Sequence, residues 1–247
     1  MRLNGYKYLF LLLVLIMSTA SLGIYAQAVA NKTTDVVRID LNPDKSFQVI
    51  DNFGASDAWA GQYVGLWDKQ VKEKIADLLF STRTDKKGNP QGIGLSAWRF
   101  NIGAGSKDQG DSSDIKGPWR RAEGFLKADG TYDFSSKVAR GQRWWFSAAK
   151  KRGVKDFIAF SNSAPYQLTK NGKTYATNGL TNLAEDNYGA FADYLVEVIK
   201  GIKSRDKVLF NYVSPFNEPQ WDWSDHGQEG SPYLSQYTIA SKAMACH

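Results

Sequence analysis

"VLFNYVSPFNEPQWDW", residues 208–223, runs from an apolar segment straight into a turn holding one glutamate, two prolines and two tryptophans. Its first six residues read as a short buried strand, and Pro215 and Pro219 mark where that strand must stop. A glutamate between Asn217 and Pro219 is either a solvated loop residue or a reagent. The company the segment keeps decides between them. Three more strand-like stretches end in the same manner. "SFQVIDNFGAS" (46–56) leads to Asp57 and Trp59, "GLSAWRFNIGAG" (94–105) carries Arg99 and Asn101 into glycines, and "DFIAFSNSAPY" (156–166) delivers Asn162 and Ser163.

Amphipathic helices fall between these stretches. Leu66, Val71, Ile75, Leu78 and Leu79 recur at helical spacing in 66–81, a second helix spans 140–153 with Gly153 as its stop, and a long one covers 183–204. A fourth helix is expected over 231–245, with Pro232 in its first turn. Strand–helix alternation of this kind predicts an α/β fold with a parallel sheet of βαβ units. The sheet either stays open and doubly wound or closes into a (β/α)8 TIM barrel. No G-x-G-x-x-G follows the first strand, which removes the usual dinucleotide signature of the open form. Polar residues at the C-terminal ends of four successive strands are where a barrel places its active site. A complete barrel takes about 250 residues, so residues 46–247 are expected to hold its amino-terminal half, about four βα units.

Residues 1–28 read differently. Arg2 and Lys7 precede an apolar core at 8–17, then small residues offer cleavage after Ala26 or Ala28, the pattern of a secretory signal peptide. An uncleaved anchor is the competing reading, but the core falls short of the roughly 20 residues a spanning helix needs. The protein is therefore expected to be secreted or periplasmic, with no membrane association once the leader is removed. Residues 29–45 are expected to be a linker and a strand, at 36–41, belonging to a side β-domain. Cys246 is the only cysteine, which rules out an internal disulfide. The net charge is +6, spread over short runs, and gives no basic stripe for nucleic acid. Eight Trp and twelve Tyr, several beside Gly, Asp and Asn, suit stacking on flat ligand faces.

Glu218 is the expected proton donor. A carboxyl group can protonate a leaving oxygen when apolar surroundings raise its pKa, and Trp221 and Trp223 stand ready to supply them. Asn217 offers an amide to a substrate hydroxyl. Arg99 either orders the barrel interior or holds a carboxylate ionised. Asp57 is either a helix cap or a sugar-hydroxyl ligand beside Trp59. Asn101, Asn162 and Ser163 are expected on the same rim, with Trp221 as an aromatic substrate contact. His226 and His247, the only histidines, lie in no metal-ligand spacing, and no G-x-S-x-G supports a serine nucleophile. Neither a metal nor a cofactor is expected.

"FGASDAWAG", "WRFNIGAG", "FSNSAPYQLTKNG" and "VSPFNEPQWDW…QEG" resemble, in that order, glycoside hydrolase family 30, and within it the endo-β-1,6-galactanase-like branch. The likeness covers residues 36 to about 245. It implies a retaining glycosidase on a (β/α)8 barrel with a β-sandwich beside it, working as a monomer on a polysaccharide or oligosaccharide. It also implies that Glu218 is the general acid/base, that Arg99 and Asn217 border the reacting sugar, and that the nucleophile is a second glutamate after strand seven. Retention needs both carboxyl groups, roughly 5–5.5 Å apart. A chain with only the first of them is expected to be inactive alone. The alternative is a non-catalytic carbohydrate-binding protein that keeps the aromatic rim.

Overall fold

The computed structural model describes residues 37–40 and 42–232. The leader at 1–28, the helix expected beyond Pro232, Cys246 and His247 lie outside them. The chain divides into two units, Met1–Val49 and Ile50–His247. In the first, residues 37–40 form no strand, Val37 and Ile39 are exposed, and Arg38 pairs with Asp40 at 2.9 Å. The strand expected at 36–41 is thus absent from the described residues of that segment.

The second unit alternates strand and helix as its sequence predicts. Its elements are β1 (Gly54–Ser56), α1 (Gly61–Val64), α2 (Lys69–Phe80), β2 (Ala97–Ile102), α3 (Ser106–Gln109), α4 (Arg140–Lys150), β3 (Asp156–Ser161), α5 (Tyr188–Asp206) and β4 (Tyr212–Ser214). All strand pairs are parallel, and the order is β1-β2-β3-β4. Each crossover therefore steps one strand further in the same direction. An open doubly wound sheet must reverse that order; a barrel must not. The helices obey the same logic. Trp98, Phe100 and Ile102 of β2 and Phe157 and Ala159 of β3 share one core with Phe80 of α2, Trp145 and Phe146 of α4, and Leu195 and Val198 of α5. Three helices thus cover one face of the sheet. This is the arrangement of a partial (β/α) barrel.

Two strands are shorter than their sequences suggest. β1 pairs only from Gly54, because Phe53 is the first residue to meet the next strand, its carbonyl accepting from Ser96 N and Ala97 N. Phe47, Val49 and Ile50 upstream are exposed and unpaired. In 208–213, Val208 and Phe210 enter the core before pairing begins, and the Asn211 side chain accepts from Phe157 N at 3.0 Å. Local signals set the helices more closely. Asp68 caps α2 by accepting from Gln70 N. Gly153, at φ +95°, closes the turn after α4.

Candidate active site

The C-terminal ends of the strands are stitched together by polar side chains. Asp57, just past β1, is fully buried; its carboxylate accepts from Asn101 N at 2.8 Å and from Gln142 Nε2 at 3.0 Å. Burial pushes its pKa from 3.8 to about 7, against the lowering effect of those donors and of Arg99. Asn101 passes the link to β3 by accepting from Asn162 Nδ2 at 3.0 Å. Arg99 passes it to β4 by donating from Nη2 to Asn217 Oδ1 at 3.0 Å. Its guanidinium also lies 3.4 Å over the Phe160 ring. Burial holds the Arg99 pKa below its usual range, opposed by the charges of Asp57 and Glu218.

Glu218 occupies a left-handed turn, φ +44°, directly after Asn217. Its carbonyl accepts from Trp221 N and from Trp223 Nε1, both at 3.0 Å. The buried Trp223 therefore braces the turn through the backbone, while the Glu218 side chain stays exposed. The tryptophans position the glutamate rather than enclose its carboxyl, which differs from the apolar pocket expected from the sequence. Trp221 is 61% exposed, its ring edge-on to Trp223. Trp59 is buried and donates from Nε1 to Gln228 Oε1 at 3.3 Å.

Of the eight residues expected on the rim besides Glu218, Trp59 is buried against Gln228 and the other seven divide. Arg99 and Asn217 stand beside Glu218, and Trp221 is open to solvent. Asp57, Asn101 and Asn162 are buried and spend their polar groups on one another and on Gln142. Ser163 is buried and donates to the Ala164 carbonyl. These four hold the rim in shape. Glu229 was not expected at all. It is fully buried and accepts from Ala104 N, Ser106 N and Ser106 Oγ, the last at 2.6 Å. Burial raises its pKa from 4.5 to about 7. It ties the loop after β4 to the glycine loop after β2. The clue in the sequence was only its place between Gln228 and Gly230.

No group of three or more His, Cys, Asp or Glu able to hold a metal occurs among the described residues. No helix among them is long and apolar enough to cross a membrane.

Sequential parallel strands, helices on one face and a charged, aromatic-flanked rim at the C-terminal strand ends define an α/β-barrel enzyme architecture. Comparison with known proteins narrows the class. O-Glycosyl hydrolase family 30 matches residues 36–244. The chain belongs to that family. It is 27% identical over 232 residues to the endo-beta-1,6-galactanase of Hypocrea rufa, covering 87% of this chain and 46% of that one. It is 34% identical over 221 residues to the exo-beta-1,6-galactobiohydrolase of Bifidobacterium longum subsp. longum, covering 74% of this chain and 13% of the other. Among solved structures, a conserved exported protein from Bacteroides fragilis superposes with a TM-score of 0.77 at 40% identity, covering 83% of this chain and 42% of that one. The chain spans less than half the length of the curated relatives it matches.

Proposed function

We propose that this chain carries the acid/base half of a retaining glycoside hydrolase acting on a β-linked, galactan-like polysaccharide, with Glu218 as the proton donor and acceptor. The observation that carries the reading is the Glu218 turn. A glutamate at the end of β4 is held by its carbonyl from Trp221 and Trp223, beside an asparagine fixed by Arg99. In the first step Glu218 gives its proton to the glycosidic oxygen as the C–O bond breaks, and a second carboxylate takes the sugar. In the next step Glu218 removes a proton from the water that releases it. The charge of Glu218 in turn favours the charged form of Arg99, which ties the two groups together at the rim. The second carboxylate belongs to a strand after the four described. The names of the two curated relatives support a β-1,6-linked galactan as the substrate class. The leader-like start of the sequence and the exported relative support action outside the cytoplasm.

Glu218→Gln in an enzyme with both carboxylates is expected to lower turnover of a β-1,6-galactan by about 10²–10⁴-fold, the usual worth of general acid–base catalysis. Reducing-sugar release measures it. An unchanged rate rejects the role, and saturable sugar binding without any hydrolysis favours the binding-protein alternative.

A further inference from the structure

In the loop after β4, Glu218, Trp223 and His226 hold positive φ without being glycine, at +44°, +56° and +58°. A side chain disfavours that region, so such a residue persists only where its surroundings hold it. Glu218 is held by Trp223, whose indole N–H donates to its carbonyl. Trp223 is held in turn by the loop after β3. Ala176 N donates to the Trp223 carbonyl at 3.0 Å, Gly179 N to Ser224 Oγ at 2.8 Å, and Gly230 N to the Thr174 carbonyl at 2.8 Å. Residues 174–179 thus run beside 223–230 as a rail.

Side chains clasp that rail at His226. Its ring stacks on Tyr175 with centroids 4.1 Å apart and planes 26° from parallel, and its Nδ1 lies 3.2 Å from Asp114 Oδ2. The same Asp114 oxygen accepts from Tyr175 Oη at 3.0 Å, and the His226 carbonyl accepts from Lys116 N at 3.3 Å. Loops that leave β2, β3 and β4 therefore meet in one cluster. Tyr175 is its fixed member, being buried, with Asn171 and Asn182 both donating to its carbonyl. His226 is half-buried and Asp114 exposed. The cluster acts on Glu218 at one remove, through Trp223.

We propose that His226 is a positioning residue for Glu218: clasped between Tyr175 and Asp114, it locks the loop after β4 in the conformation that aims the glutamate at the glycosidic oxygen. The inference rests on the acid/base reading of Glu218 and adds the residue that fixes its place. Without the clasp, backbone bonds to the rail remain, but the contact that holds His226 in left-handed backbone is gone. The loop then relaxes, and the Glu218 carboxyl drifts from its line on the leaving oxygen. Proton donation suffers first, because it is the step most sensitive to where that carboxyl sits.

Two substrates test it in an enzyme with both carboxylates. A β-1,6-galactan needs a proton on its leaving oxygen, whereas the 2,4-dinitrophenyl glycoside of β-1,6-galactobiose has a leaving group that departs without one. His226→Ala is expected to lower kcat/KM on the galactan roughly tenfold and to change it on the dinitrophenyl substrate by less than about twofold. That is the selectivity of Glu218→Gln in weaker form. His226→Phe keeps the stack on Tyr175 without the Asp114 contact and should recover part of the loss. Asp114→Asn should show a milder loss with the same selectivity, and it serves if His226→Ala does not fold, which thermal unfolding checks. Equal losses on both substrates, or an undiminished rate on the galactan, overturn the role. Failure of the acid/base reading shows separately, as galactan hydrolysis indifferent to Glu218→Gln.

Discussion

The two faces of β2 are built from opposite chemistry. Trp98, Phe100 and Ile102 point to the helices and meet a wall of rings, with Phe100 4.8 Å from Phe146 and 5.9 Å from Phe210. Arg99 and Asn101, on the alternate positions, reach neighbouring strand ends through hydrogen bonds to Asn217 and from Asn162. The first face is held by dispersion and water exclusion, which tolerate small shifts. The second is held by directional bonds in a partly dry setting, where one lost partner strands another. From this contrast it follows that the helix side sets stability while the rim sets the geometry around Glu218, the proposed proton donor.

The largest effect that would break the contrast lies on the helix side. Phe100→Ala should cost about 3–5 kcal/mol of unfolding free energy, as large aromatic truncations in cores do. Chemical denaturation reads it, and a loss under about 1 kcal/mol would mean that the ring wall is not the main support.

The rim should reveal itself through pH. Asp57 and Glu229 titrate near 3.8 and 4.5 when unfolded and at about 7 when folded. Between those limits the native state holds protons that the unfolded chain has released, so stability falls as pH rises. The contribution is complete below about pH 4 and lost as pH climbs through about 7, on the order of 3 kcal/mol for each group. Denaturation midpoints at pH 5 and pH 8 should differ in that sense, and Asp57→Asn with Glu229→Gln should flatten the curve. A midpoint that rises with pH instead would contradict the burial of these carboxylates.

Arg99→Lys keeps the charge beside Glu218 but loses the Nη2 donor that holds Asn217. Turnover should fall on the order of tenfold with little change in melting temperature. Equal losses of stability and rate would merge the two faces into one structural unit. The smallest effect belongs to Trp221. Being 61% exposed, it should cost within about 0.5 kcal/mol on replacement by Ala, and lower sugar affinity instead.

Much of this was legible in advance. Apolar spacing in 66–81, 140–153 and 183–204 located the three long helices, because one-sided burial writes itself into the sequence every three or four residues. The strand read within 94–105 is β2, Ala97–Ile102. Strand ends were harder. β1 and β4 are three residues each, since pairing depends on where the neighbouring strand begins and not on local composition. Segment 36–41 alternates as well as β2 does, yet residues 37–40 pair with nothing described.

The site divides along the same line. Glu218, Asn217 and Arg99 stood out because a glutamate between asparagine and proline after an apolar run is unusual by itself. Asp57 and Asn162 were found, but their burial was not foreseen. Glu229 stood in the quoted QEG motif, but no role could be read for it there, because its partner Ala104 lies 125 positions away. Sequence alone determined the alternation and the parallel sheet, and it singled out the glutamate proposed here as proton donor, because each depends on neighbours within a few residues. Only the tertiary structure decided which polar groups are buried and shared, and how the Glu218 turn is braced. Those outcomes depend on which distant loops meet, and a buried charge is set by the donors that reach it and not by the residues beside it.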